Sequence, residues 1–151
     1  MESPITAEMR EWIGRSEPPV TVVVTRRAIQ QYAAASGQRL PRFLRGDEAP
    51  PLFHFDLFRA IVPLEGLGPD GLPADPLVPP LPLKRVVMGG QQVEYHRPIR
   101  CGDVLMGVRT LRDIYAKSGT AGPLLFYVIG LEVRTEHGQP VLSEIQTRIA
   151  R

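Results

Sequence analysis

Residues 52–62 read Leu-Phe-His-Phe-Asp-Leu-Phe-Arg-Ala-Ile-Val, a stretch that is apolar nearly all round. A helix without a polar face is typical of a buried position, and the prolines at 50 and 51 suit a helix start. From residue 86 onward, the chain carries strand-length runs of mixed apolar and polar residues at 86–95, 104–115, 124–135 and 141–150. We therefore predict an α+β fold in which an antiparallel sheet wraps around one central hydrophobic helix.

The first third of the chain predicts shorter elements. A helix is expected over residues 7–13, a β-branched strand over 20–24 and a second helix over 26–36. Thr25 is the expected N-cap of that second helix, and Gly37 is its expected stop. These elements precede a stretch at 38–51 that is too rich in Pro and Arg for regular structure.

Turn-forming residues indicate where loops and interruptions occur around the later strands. We expect an irregular loop over 65–82, because the prolines of the chain are concentrated there and just before it. Gly89-Gly90 interrupts the strand at 86–95, which predicts a β-bulge or a close backbone approach. Hairpin loops are expected at 117–122 and 136–139.

Composition narrows the class of protein. With 151 residues, 43% hydrophobic and 23% charged, the chain suits a single globular domain over 1–151. One cysteine, Cys101, excludes an internal disulfide and is compatible with a reducing cytoplasm, where we place the protein. No apolar stretch approaches the ~20 residues of a membrane span. The net charge of +2, without a block of Lys or Arg, does not favour nucleic-acid binding.

One loop carries a resemblance to a known family. Residues 36–43 read Ser-Gly-Gln-Arg-Leu-Pro-Arg-Phe, which resembles the Ser-Gly-Asp-x-Asn-Pro-x-His signature of the MaoC-like, hot-dog-fold dehydratases. In those enzymes the Asp and the His activate or deliver the water that adds to an enoyl thioester. Gln38 stands in the place of the Asp and Phe43 in the place of the His. An amide and a phenyl ring do not exchange protons near neutral pH, so neither replaces the acid/base pair.

Three further segments are similar to the N-terminal, FAS1-like half of type-2 hydroxyacyl-thioester dehydratases and mesaconyl-C4-CoA hydratases. They are residues 79–90, Pro-Pro-Leu-Pro-Leu-Lys-Arg-Val-Val-Met-Gly-Gly; residues 95–105, Tyr-His-Arg-Pro-Ile-Arg-Cys-Gly-Asp-Val-Leu; and the strand-turn-strand at 114–133. The resemblance covers roughly residues 20–149 and implies a hot-dog fold. In those relatives the catalytic Asp and His belong to the second half of a double-hot-dog chain. The resemblance thus implies either a homodimer or a heteromer with a catalytic MaoC-like hot-dog subunit.

The expected function follows from this resemblance. It is that of a non-catalytic or auxiliary subunit of an (R)-specific enoyl-/3-hydroxyacyl-thioester hydratase/dehydratase. The alternatives are a homodimeric acyl-CoA-binding module without turnover and a homodimeric hydratase that uses His54 or His96. The ligand would be an acyl-CoA or acyl-carrier-protein thioester, and no cofactor is expected. No pair of the three histidines shows metal-ligand spacing, so no metal is expected either.

Candidate site residues follow from the same reasoning. The free N–H groups at the start of the predicted central helix could hold a thioester oxygen, and nearby apolar side chains, Pro50 and Phe55 among them, could wall an acyl tunnel or simply pack in the core. The residues expected to bind substrate are Leu52, Phe53, His54, Gly89, Gly90 and Arg97.

Two histidines and a basic group complete the candidates. His54 could act as a general base with Asp56 or Glu48 beside it, or be a hydrogen-bonded core histidine. His96 could contact the thioester or the CoA phosphates, or be structural. The basic residues that could bind CoA phosphates, or else form a solvated face, are Lys84, Arg85, Arg97 and Arg100.

Overall fold

A computed structural model describes residues 4–83 and 85–151 of the chain. Its centre is a sheet of antiparallel strands in the order β1-β3-β4-β5-β2. The strands are β1 (Val20–Val23), β2 (Val86–Tyr95), β3 (Val104–Gly119), β4 (Gly122–Thr135) and β5 (Pro140–Ala150). All four predicted later strands are therefore confirmed, and β2 and β1 lie at the two edges.

The helices are short. They are α1 (Ala7–Arg10), α2 (Arg26–Ala35), α3 (Pro41–Leu44) and a 3-10 helix at Leu64–Gly66. Thr25 caps α2 as predicted, its side-chain oxygen accepting a hydrogen bond from the N–H of Ala28 at 3.2 Å. The prediction of fully irregular structure at 38–51 is wrong, because Pro41 begins the single turn of α3 there.

One strand detail differs from the expectation and another confirms it. The β3–β4 ladder continues to the pair Gly119↔Gly122, so the hairpin turn is confined to residues 120–121. The expected bulge in β2 is confirmed, because the register to β5 shifts between Met88 and Gly90. An added Cβ on Gly89 would lie 2.9 Å from a side-chain carbon of Ile149 and 3.2 Å from the backbone oxygen of Thr147, so β5 approaches closely at this point.

The segment at 52–62 is buried in part, but it is not the predicted α-helix. Residues 51–58 form overlapping turns, with hydrogen bonds from the N–H of Phe55 to Leu52 O at 3.0 Å and from Leu57 to His54 O at 3.1 Å. These bonds span three residues rather than four, and Leu52 has φ +66°, a left-handed conformation in which a helix does not begin. We call residues 52–58 the central turn segment.

Two apolar clusters pack against the sheet. One joins the central turn segment, through Phe53 and Phe58, to Ile29 of α2 and to Leu105, Leu131 and Leu142 of the strands. The other joins Met9 of α1 and Leu77 of the long loop to the far halves of β3 and β4. The segments that cover the sheet thus leave one part of the face of β4 and β5 open, between the two clusters. The candidate site lies there.

Candidate functional site

A groove of about 720 Å³ opens between the central turn segment, the loop at 70–83 and the sheet. A space of this volume is within the range of small-molecule sites. Its apolar wall comes mainly from the loop, with Leu72, Val78 and Leu81. Its charged lining comes from both sides and consists of Glu17, Asp56, Asp70, Asp75, Arg59, Arg109 and Arg148.

Arg109 of β3 ties the loop to the sheet. One guanidinium nitrogen lies 2.5 Å from Glu17 Oε2 and another lies 2.6 Å from Asp75 Oδ2. All three side chains are largely buried, so the two carboxylates compensate a charge that would otherwise be costly to bury. This ion triad holds the wall of the groove in place.

His54 and Glu144 form a buried pair beside the groove. His54 Nε2 lies 2.7 Å from Glu144 Oε2, and the side chains are 0% and 2% exposed. The other carboxylate oxygen accepts hydrogen bonds from Gln91 Nε2 at 2.6 Å and from Gln146 Nε2 at 2.5 Å. The carboxylate is thus fully bonded within the protein.

These contacts set the charge of Glu144. Burial raises the pKa of Glu144, but hydrogen bonds from His54, Gln146 and Gln91 outweigh it and leave the pKa below its ordinary value. Glu144 is therefore ionised at neutral pH. A carboxylate only accepts hydrogen bonds, so His54 Nε2 carries the hydrogen between the two groups. His54 Nδ1 is buried and has no partner among the described residues.

Tyr95 at the end of β2 holds the central turn segment from the other side. Its hydroxyl oxygen accepts a hydrogen bond from the N–H of Leu52 at 2.9 Å, and its ring meets His54 edge-on with centroids 6.0 Å apart. Burial raises the pKa of Tyr95, more than its bond with Leu52 lowers it. The N–H of Leu52 is consequently engaged and is not free to hold a thioester oxygen.

The predicted partners of His54 are wrong. Asp56 faces Arg59 at 3.9 Å, and Glu48 faces Arg42 at 3.4 Å. The actual partner, Glu144, comes from β5, 90 residues further along the chain. Phe53, expected to bind substrate, packs its ring edge-on against Tyr32 at 5.7 Å and belongs to the core.

The other candidates lie apart from this pair. Arg97 forms a two-pronged ion pair with Asp103, at 2.8 and 3.1 Å, and donates to Pro98 O. His96 is exposed, and its Nε2 lies 3.4 Å from Ser143 Oγ. Gly90 is on exposed β2 with open space where a side chain would be. Their roles in substrate binding stay predictions, and Lys84 lies outside the described residues.

The loop at 36–43 brings no proton donor or acceptor to the places of the family signature. Ser36 ends α2, with Oγ donating to Tyr32 O at 2.7 Å. Gln38 is half-buried, and Phe43 is buried within α3. The two chemical positions of the signature therefore carry an amide and a phenyl ring.

Sequence reasoning missed the residues of β5. Glu144, Gln146 and Arg148 alternate along the strand, so their side chains point to the same face as the buried Leu142 and Ala150. Three polar residues on the inward face of a strand are unusual. That alternation was the available signal.

Comparisons with known proteins place this architecture among the hot-dog proteins. The 3R-hydroxyacyl-ACP dehydratase complex HadBC of Mycobacterium tuberculosis aligns with a TM-score of 0.66 and 16% identity, over 94% of this chain and 99% of that one. The ChsH1-ChsH2 complex of the same organism aligns with a TM-score of 0.70 and 18% identity, over 95% and 87%. These likenesses confirm the predicted α+β hot-dog fold.

The family is shown by sequence. Residues 11–144 match the model of the FAS1-like, dehydratase domain region, and the chain belongs to this family. Among its relatives is the mesaconyl-C(4)-CoA hydratase of Chloroflexus aurantiacus, which is 30% identical over 97% of this chain. The chain spans about half, 52%, of the length of that hydratase. A UPF0336 protein of Saccharopolyspora erythraea is 32% identical, over 94% of this chain and 90% of that protein. The predicted MaoC-like, FAS1-like resemblance is confirmed.

Proposed function

We propose that this chain is the non-catalytic, auxiliary subunit of an (R)-specific enoyl-/3-hydroxyacyl-thioester hydratase/dehydratase. The observation that carries the proposal is the loop at 36–43. Gln38 and the buried Phe43 occupy the two places where the signature of the MaoC-like dehydratases has an acid/base pair. A hydration step needs a base for water and an acid for the α-carbon, and neither residue supplies one. The catalytic groups would come from a partner subunit.

The state of His54 supports the same proposal. A general base has to reach the proton that it removes, whereas His54 is fully buried and already bound to Glu144. The pair instead fastens the central turn segment to β5. A structural role of this kind explains why a histidine and a carboxylate occur here without the family motif.

The relatives support the class of reaction and the idea of a partner. One relative is named a hydratase, and two structural neighbours are complexes, HadBC and ChsH1-ChsH2. We propose an acyl-CoA or acyl-carrier-protein thioester as the ligand and the cytoplasm as the location. Strand β2 is a candidate contact, because it is an edge strand, long and exposed along almost its whole length.

The experiment is reconstitution. This chain is co-expressed with a hot-dog protein from the same genome that carries Asp-x-Asn-Pro-x-His, and hydration of crotonyl-CoA is followed for each chain alone and for both together. We expect no turnover from this chain alone, and a stable complex whose activity exceeds that of the partner alone. As a control, the partner's signature Asp is replaced by Asn, which should abolish activity of the complex.

A second candidate is a homodimeric hydratase using His54, in which Glu144, 2.7 Å from His54 Nε2, would orient the imidazole. It requires turnover of crotonyl-CoA by the purified chain alone. That turnover should disappear in His54→Gln and persist in His96→Gln, because His96 lies on the surface. Such a result would contradict the auxiliary role. A pure acyl-CoA binder, the remaining alternative, would bind butyryl-CoA in calorimetry without a partner and give no turnover in any pairing.

A further inference from the structure

A polar stripe runs along the inward face of β5 into the groove. Its members, Glu144, Gln146 and Arg148, lie two residues apart and share one face of the sheet. The register places Arg148 between Met88 of β2 and Tyr127 of β4, and all three line the groove. At the buried end of the stripe, Glu144 binds His54. The open end presents the guanidinium of Arg148 to the groove.

Arg148 lacks a counter-charge. Its Nε is buried without a hydrogen-bond partner, and within residues 4–83 and 85–151 no carboxylate oxygen lies within 4.0 Å of it. Its neighbour is the Tyr127 hydroxyl. Burial raises the pKa of Tyr127, whereas the charge of Arg148 and a hydrogen bond with its side chain lower that pKa in part, so the unpaired donor of Arg148 is Nε. A buried guanidinium donor without an acceptor is costly. A bound group with acceptor oxygens would remove that cost.

Arg59 adds a second cation to the same groove. Its side chain is 24% exposed, and among the described residues the carboxylate within 4.0 Å of it, Asp56, is 3.9 Å away and 78% exposed, while Asp75 attracts it from further off. Burial lowers the pKa of Arg59, and repulsion from Arg148 and Arg109 lowers it further. The two guanidinium groups are therefore close enough to repel each other, and neither is neutralised at hydrogen-bond distance.

The remaining carboxylates of the groove are engaged elsewhere. Glu17 and Asp75 both bind Arg109, and Asp70 Oδ1 accepts a hydrogen bond from the N–H of Leu72 at 3.1 Å. Both carboxylates of the triad are bound to Arg109, so its surplus negative charge acts on Arg59 only at longer range. Arg59 and Arg148 therefore have no carboxylate at hydrogen-bond distance among the described residues. Arginine forks match the geometry of carboxylate and phosphate oxygens.

We propose that the groove binds an organic anion, whose carboxylate or phosphate is held by Arg59 and Arg148 while its uncharged chain lies along Leu72, Val78 and Leu81. This assigns a ligand site to the chain itself and goes beyond the auxiliary role. It does not depend on hydration chemistry. Binding is measured on this chain without a catalytic partner, so its failure and a failure of the proposed function are separate results.

The test uses calorimetry with three probes, CoA, butyryl-CoA and succinyl-CoA. The two thioesters have four-carbon acyl groups and differ by one terminal carboxylate. If the arginines hold an acyl carboxylate, succinyl-CoA binds at least about tenfold more tightly than butyryl-CoA, and Arg148→Gln and Arg59→Gln each remove that advantage. If they hold CoA phosphates, both variants weaken all three probes to the same extent.

Matched variants separate binding from folding. Arg148→Lys keeps the charge and should retain part of the affinity, whereas Arg134→Gln, at an exposed arginine outside the groove, should leave every affinity unchanged. Each variant is checked by thermal unfolding, and Arg59→Gln decides the outcome if Arg148→Gln does not fold. The proposal is overturned if the wild type binds none of the probes, or if Arg59→Gln and the folded Arg148 variants bind them as the wild type does.

Discussion

The Glu144 carboxylate accepts hydrogen bonds from His54, Gln91 and Gln146, which lie on three different segments of the chain. Such bonds stabilise the folded state most strongly while the carboxylate is ionised. Its folded-state pKa lies below the ordinary value, because the hydrogen bonds outweigh the effect of burial. The stability that this shift contributes is therefore fully present above the unfolded-state pKa and is lost as pH falls through the folded-state pKa.

We predict that Glu144→Gln lowers the free energy of unfolding by about 3 kcal/mol at pH 7, since it removes one partner of a buried pair. The difference in the free energy of unfolding between the wild type and this variant should shrink as pH falls below about 4.3, the ordinary pKa of Glu. Urea unfolding of both proteins at pH 7 and at pH 3.5 measures this. Glu136→Gln, an exposed glutamate, serves as the control and should cost less than about 0.5 kcal/mol at either pH. A difference that stays constant over this range would show that ionisation of Glu144 does not matter.

At the scale of elements, the central turn segment rests on β3 at a glycine. A Cβ built on Gly107 would overlap the ring of Phe58, which is buried in the core. The absence of a side chain at position 107 thus allows the ring to lie directly on the strand. This contact explains how a segment without regular helix geometry keeps a defined position over the sheet.

Gly107→Ala should therefore destabilise the fold by about 1–3 kcal/mol, because the phenyl ring has to shift within a packed core. Gly90→Ala provides a matched control on β2, where an added Cβ meets nothing within 4 Å. At that position alanine should be neutral or slightly stabilising, since glycine is the less favourable residue in a strand. Thermal unfolding gives the melting temperatures of both variants. Equal melting temperatures would contradict the inference that the Phe58 ring packs directly on Gly107.

The elements that the sequence predicts well are those specified by neighbouring residues. Strand-length runs of mixed apolar and polar residues, with turn signals between them, locate β2 to β5, and Thr25 and Gly37 mark the two ends of α2. The segment at 52–62 was predicted as a helix because an all-apolar run indicates burial but does not determine backbone geometry. The left-handed conformation of Leu52 depends on tertiary contacts, among them the bond to Tyr95, 43 residues away.

The candidate site was predictable only in part for the same reason. His54 was identified, but its partner lies 90 residues away and depends on the position of β5 in the sheet. The groove depends on the bond between Arg109 and Asp75, which are separated by 34 residues. The loss of the family acid/base pair, in contrast, was visible directly from Gln38 and Phe43. Substitution within a local motif can be seen in a sequence, whereas a site assembled from distant segments cannot.

At the scale of the whole molecule, the two edges of the sheet are not equivalent. Strand β1 has four residues, whereas β2 has ten and is exposed along almost its whole length. Alternate N–H and C=O groups on the outer side of an antiparallel edge strand have no neighbour in the sheet. Its exposed apolar side chains include Val86, Val87 and Met88. Such an edge accommodates an added strand, and in the proposed auxiliary role it would be the surface for the partner.

Hydrogen exchange followed by mass spectrometry tests this directly. We predict that β2 exchanges faster than β4 in the isolated chain at low concentration, and that the outward amides of β2 become protected when the catalytic subunit is added. Strand β1 is the internal control and should show no change. If β2 instead becomes protected as the concentration of this chain alone is raised, the partner strand comes from a second copy. Protection that appears elsewhere, with β2 still exchanging freely in the complex, would contradict pairing at this edge, because a hydrogen-bonded added strand necessarily shields those amides.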